Sequence, residues 1–194
     1  MLKNPSFTAI AILLALAVSA CQTTLPGPEK ESLSRAEVTE RREQILGMSK
    51  QALAKLYAEN PAARAEVESA PGYAVFDVST VNALVLVGAR GKGVLIEKRG
   101  GKQTFMLTAR GGTGPGLGYQ QVYQIFVFKN EAALSQFRLG DKVGGDVSAS
   151  ATAGTVGLQY SLNPYITVYQ VSEKGFAVQA NWGGTAYLVD PNLN

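Results

Sequence analysis

The chain is predicted to be an α+β protein, an N-terminal helical pair packed on a glycine-rich antiparallel β-sheet or partly closed barrel. Three observations lead there. Val38, Ile45, Leu46, Ala52, Leu53, Leu56 and Tyr57 recur at helical spacing on one broad face, with Arg41, Glu43, Lys50 and Glu59 among those opposite. Farther on, Val156, Leu158, Tyr160 and Leu162 alternate with Thr155, Gly157, Gln159 and Ser161, and Phe176, Val178, Ala180 and Trp182 alternate with Ala177, Gln179 and Asn181. A period of two belongs to antiparallel strands with one buried face. Finally, 18 of the 21 glycines fall between Gly88 and Gly184, where they permit tight turns, bulges and close backbone approach.

The elements follow in order. Ser34-Arg35-Ala36-Glu37 has the pattern of a capping box at the start of the first helix. Asn60-Pro61 stops that helix and starts a short second one through about Glu68, since proline suits the first helical turn. Ala70-Pro71-Gly72 ends it. Tyr73 to Val78 and Ala83 to Val87 read as strands, and Val94 to Lys98 with Thr104 to Ala109 as a hairpin joined around Arg99-Gly100-Gly101-Lys102. Val122 to Phe128 is apolar on both faces, as a central buried strand is. Asn130 caps a short helix, Glu131 to Phe137. Phe126, Ile125, Val127, Leu158 and Trp182 are the expected core.

Residues 1–20 stand outside that fold. Lys3 is followed by the unbroken apolar run Ala9 to Val18 and the small residues Ser19 and Ala20, the layout of an export signal. The run is too short to span a bilayer comfortably. Val18-Ser19-Ala20-Cys21 resembles the lipobox of bacterial lipoproteins, whose cysteine thiol is acylated and becomes the mature amino terminus. The chemistry needs the nucleophilic thiolate, and Cys21 is the chain's only cysteine. In that family an aspartate after the cysteine retains the protein at the inner membrane. Gln22 stands there instead, which implies the periplasmic face of the outer membrane. Several acyl chains suffice for stable anchoring. The polar stretch from Gln22 to Leu33, with Pro26, Gly27 and Pro28, reads as a tether. The chain thus divides into a lipoprotein signal peptide (1–20), a lipidated cysteine with its tether (21–33) and a domain (34–194).

Composition narrows the chemistry. The formal charge of +3 falls to +2 once Lys3 leaves with the signal, so no whole-protein electrostatic footprint points to nucleic acid. With Cys21 spent on lipid, the mature chain has no disulfide and no thiol nucleophile. It has no histidine, which removes imidazole bases, serine–histidine triads and nearly all zinc sites. The expectation is a non-enzymatic protein with no catalytic residues, metal or cofactor. The glycine-rich run Gly111 to Gly118 has the wrong spacing for a dinucleotide fingerprint, and Gly91-Lys92 lacks the Ser or Thr of a phosphate loop. Asp141 and Asp146 flank Gly144-Gly145 in turn-like sequence, where solvated aspartates are the norm.

One local charge excess remains. Arg90, Lys92, Lys98, Arg99, Lys102 and Arg110 lie within one segment, opposed only by Glu97. Such a cluster either contacts anionic headgroups, at about 1 kcal/mol per basic group, or keeps a hairpin turn soluble.

Several spaced blocks carry a family resemblance. Gly72-Tyr73-Ala74-Val75-Phe76 and Gly88-Ala89-Arg90-Gly91-Lys92-Gly93-Val94-Leu95, then Gly118-Tyr119 through Gln124-Ile125-Phe126-Val127-Phe128-Lys129-Asn130-Glu131-Ala132-Leu134, Lys142 to Ser148 and Lys174-Gly175-Phe176-Ala177 resemble, in order, the blocks of the SYLF domain. The resemblance covers about Ser34 to Asn194. Eukaryotic members of that family bind phosphoinositides and other anionic lipids, partly through a basic amphipathic N-terminal segment, and some yeast members bind actin filaments. This chain departs from that pattern, because Arg35, Arg41, Arg42, Lys50 and Lys55 are interleaved with Glu37, Glu40, Glu43 and Glu59. Phospholipid contact is what carries over, without phosphoinositide specificity and without actin, which a bacterial envelope lacks. The expected function is a lipid-anchored outer-membrane protein that binds phospholipid surfaces. The alternative is a periplasmic envelope scaffold for a protein or peptidoglycan partner.

Overall fold

The computed structural model describes residues 31–139, 152–153 and 164–194. The signal segment, Cys21, Gln22, Asp141, Asp146 and the alternation around Leu158 lie outside them, as does the side chain of Trp182. The protein is α+β. Helices α1 (Arg35–Glu59) and α2 (Ala62–Ser69) precede strand β1 (Gly72–Glu97) and strand β2 (Lys102–Phe128); helix α3 (Glu131–Leu139), the two-residue β3 (Thr152–Ala153) and β4 (Ile166–Val189) follow. The sheet order is β1-β2-β4-β3, every pair is antiparallel, and among the described residues the sheet is not closed into a barrel.

Local chemistry fixes the helix ends. Ser34 Oγ accepts a hydrogen bond from the Glu37 amide (3.3 Å), and the Glu37 carboxylate accepts one from the Ser34 amide (2.8 Å). The two bonds together are a reciprocal capping box. They also hold the Glu37 carboxyl below its ordinary range, the side-chain bond to Ser34 being the main cause. Asn130 Oδ1 accepts from the Ala133 amide (2.8 Å) and opens α3.

The strands are far longer than the segments expected from sequence. Tyr73–Val78 and Ala83–Val87 belong to one strand, β1, which also contains the first arm of the hairpin. Such length is accommodated because β1 doubles back on itself. A Cβ built on Gly91 would strike the Asp77 carbonyl, one on Gly93 would strike the Val75 carbonyl and the Phe76 ring, and one on Gly72 would lie 2.8 Å from the Ile96 carbonyl. The Lys98 amide donates to the Pro71 carbonyl at 2.9 Å. Residues 71–77 therefore run antiparallel against residues 91–98 of the same strand, and glycine is required at 91 and 93 because the backbones touch there. The turning point is marked by a register shift against β2 between Leu84 and Leu86 and by the left-handed backbone of Leu84, with φ of 59°. Strand β2 pairs with β1 on both sides of that shift, and β4 pairs with β2 with a shift of its own between Gln121 and Val122.

Folding the sheet over creates an interior. Phe76, Val78, Phe126, Phe128 and Val168 from one layer meet Leu95, Met106 and Tyr187 from the other. Phe76 lies 4.9 Å and Phe126 5.2 Å, ring centre to ring centre, from Tyr187. Helix α3 closes this core with Ala133, Leu134 and Phe137. The outer faces carry two further clusters. Ala52 and Leu56 of α1 with Ala63 and Val67 of α2 cover Val75, Ile125, Val127 and Val171. Ile45 of α1 joins Leu193 over Val94 and Phe105. Helix α1 thus crosses both layers. The central segment Val122–Phe128 is buried throughout because its inner side faces the aromatic core and its outer side faces helices.

Candidate functional site

Strand parity and helix packing divide the six basic residues among three places. Arg90 and Lys92 are both exposed and, being two apart in β1, point to the same outer face. They line a cavity of about 480 Å³ with a floor of Leu107, Ala109 and Leu188 and a polar side of Asp77, Ser79 and Thr108. The Asp77 carboxylate accepts both its bonds from Gln121 Nε2, at 2.9 and 3.0 Å. Ser79 Oγ and the Tyr119 hydroxyl share a hydrogen bond at 3.3 Å. The two cations therefore face an apolar floor beside an acid that is already engaged.

Lys98, Arg99 and Lys102 sit at the opposite end of the hairpin. Lys98 Nζ donates to the Val67 carbonyl and, at 2.6 Å, to the Glu68 carbonyl, so it caps the C-terminal turn of α2. Desolvation pulls its ammonium below the ordinary lysine range, partly opposed by Glu68. Lys102 lies 4.0 Å from Glu97, which is bound at 3.1 Å by Arg138 of α3. Arg99 is exposed in the turn between β1 and β2, whose Gly100 and Gly101 both take positive φ. Arg110 occupies the third place. It pairs in register with Ala89, which packs against the aromatic core, so its side chain turns inward, next to Tyr187. Burial pulls its guanidinium down and pushes the Tyr187 phenol up.

Sequence reasoning missed the bend. Leu84 (72% exposed), Leu117 (68%) and Leu86 (64%) project there with Val81, Val85 and Tyr119. Register sets Val81 opposite Tyr119 and Ala83 opposite Leu117 on one face, while Leu84, opposite Gly116, is one residue out of phase with them. The signal was present in the sequence. Leu84 and Leu86, within the apolar run Ala83 to Val87, lie across from Gly116 and Thr113, residues with little side chain to pack beside them. No helix among the described residues is long and apolar enough to cross a membrane.

Comparison with known proteins adds one likeness. No family model matches the chain. Beta cell expansion factor A of Aeromonas veronii is 32% identical over 164 residues, which cover 84% of this chain and 62% of that protein. The chain therefore spans less than two thirds of the length of this curated relative.

Proposed function

We propose that the protein is a non-catalytic, SYLF-like, lipid-anchored envelope protein whose domain binds anionic phospholipid surfaces. The observation that carries this reading is the exposed pair Arg90 and Lys92 beside the apolar floor of Leu107, Ala109 and Leu188. Two neighbouring cations beside an uncovered apolar surface suit a phosphate headgroup and its glycerol-acyl junction, each cation contributing about 1 kcal/mol at a negatively charged surface. Cys21 supplies the acyl anchor. Gln22 directs the mature chain to the outer membrane, and the tether holds the domain at high effective lipid concentration. The other four basic residues contribute elsewhere: Lys98 caps a helix, Lys102 and Arg99 belong to the turn, and Arg110 faces the core.

The test is co-sedimentation of the mature chain (residues 21–194, Cys21→Ser) with liposomes of phosphatidylglycerol and phosphatidylcholine. Binding to the anionic vesicles is expected, with loss on raising salt and on the double substitution Arg90→Gln/Lys92→Gln. Absence of binding to any vesicle contradicts the proposal and favours the scaffold alternative.

A further inference from the structure

The bend carries two costs that folding alone does not explain. Leu84 holds a left-handed backbone, with φ of 59°, where glycine or asparagine is the unstrained choice. The same residue is among the most exposed apolar side chains of the described structure. Strain and apolar exposure at one residue mark a site kept for contact and not for packing. Leu86 follows it on β1, and Leu117 and Tyr119 lie on the paired segment of β2 on the other face of the sheet, so the tip of the bend is apolar on both faces.

We propose that this bend inserts into the acyl region of an anionic bilayer, with Arg90 and Lys92 at headgroup level behind it. The inference rests on the phospholipid-binding reading and names the part of the molecule that enters the membrane. Two features fit a bilayer. Arg90 lies four residues beyond Leu86 on β1, about 13 Å at strand rise. Apolar faces that sit in a membrane interface lie about 5–10 Å deep, so the cations reach the phosphates as the leucines reach the acyl chains. The second feature is the length of chain before the domain. The Glu31 amide is tied to Asn192 Oδ1, and α1 lies over Phe105, where Arg42 stacks on the ring. Phe105 is roughly nine residues of β2, about 30 Å, from the bend. The roughly ten residues from Cys21 to Glu31 reach about 33 Å when extended. An acylated Cys21 and the bend can therefore occupy the same leaflet.

Vesicle partition of the mature Cys21→Ser chain, measured with and without the triple substitution Leu84→Asn/Leu86→Ser/Leu117→Ser, tests the proposal. Burying even one leucine is worth at least about tenfold in partition, so a loss of tenfold or more from phosphatidylglycerol vesicles is expected. Leu84→Asn alone guards against misfolding. Asparagine suits the left-handed backbone, so its denaturation midpoint should equal or exceed the parent's while its partition falls. Equal partition of parent and both variants overturns insertion and leaves headgroup binding by Arg90 and Lys92 standing. No partition by the parent overturns both. Self-association of the parent in sedimentation velocity, abolished by the triple substitution, would assign the bend to a second copy and also overturn insertion.

Discussion

The two ends of the folded-over sheet are built in opposite ways. At the hairpin end, Lys98 reaches helix α2, Arg138 of α3 pairs with Glu97, and Asn194 accepts from the Phe105 amide (3.0 Å) while donating to its carbonyl (2.8 Å). Its turn uses glycine where φ is positive. At the bend, leucine takes the positive φ, apolar side chains face outward, and α1 does not reach them. Both ends reverse the chain. The hairpin end spends charged and amide side chains on helices and on the chain terminus, whereas at the bend the Tyr119 hydroxyl bonds Ser79 and the leucines stay exposed among the described residues. Stability and binding should therefore map to different ends.

Substitutions can break or sharpen that division. The largest stability loss is expected at Phe76, fully buried between the layers against Phe126, Phe137 and Tyr187. Phe76→Ala should cost about 3–5 kcal/mol in denaturant unfolding through lost burial and the cavity left behind. Gly93→Ala should follow at about 1–3 kcal/mol, because the added methyl meets the Val75 carbonyl and the Phe76 ring. Ser34→Ala should cost about 1 kcal/mol through loss of the capping box. Leu84→Asn should change stability least, within about 0.5 kcal/mol or in the favourable direction. A costly Leu84→Asn would make the bend part of the packed structure and dissolve the contrast.

Alkaline pH offers a further test at the helix-covered face. The Tyr169 hydroxyl and Thr167 Oγ1 both donate to the Glu66 carboxylate of α2. Desolvation, then the bond to Glu66, push the Tyr169 phenol up to about 12 from its ordinary 10. The folded state thus keeps a proton that the unfolded chain has lost, so stability is full below pH 10 and declines as pH rises from 10 to 12. Tyr57 and Tyr73 are shifted upward by burial and add to the same slope. In urea titrations across that range, Tyr169→Phe should flatten the decline; an unchanged slope would show that the Tyr169–Glu66 pair does not tie β4 to α2.

How much of this was legible in the sequence depends on range. The Ser34 capping box, the Asn130 cap and the central position of Val122–Phe128 rest on neighbouring residues or on a short apolar run, and the structure contains all three. The doubling-back of β1 was not legible, since Tyr73–Val78 and Ala83–Val87 are arms of one strand whose contacts join residues far apart in sequence. The basic cluster misled for a related reason. Closeness in sequence is not closeness in space: Arg90 pairs with Ala109 and Arg110 with Ala89, so the two arginines face opposite sides of the same hairpin. Lys98 was unreadable as a helix cap because α2 lies 30 residues upstream. The exposed bend could have been read from the glycines facing Ala83 to Val87, had the register been in hand.

The most direct measurement compares the two ends on one membrane. In the Cys21→Ser background a single cysteine is introduced in place of Leu86 at the bend or Arg99 at the turn, and labelled with an environment-sensitive fluorophore. Each protein is then bound to phosphatidylglycerol vesicles containing nitroxide-labelled acyl chains. A blue shift and strong quenching are expected at position 86 and neither at position 99. Quenching at position 99 with none at position 86, or no change at either in protein that co-sediments with the vesicles, would contradict it.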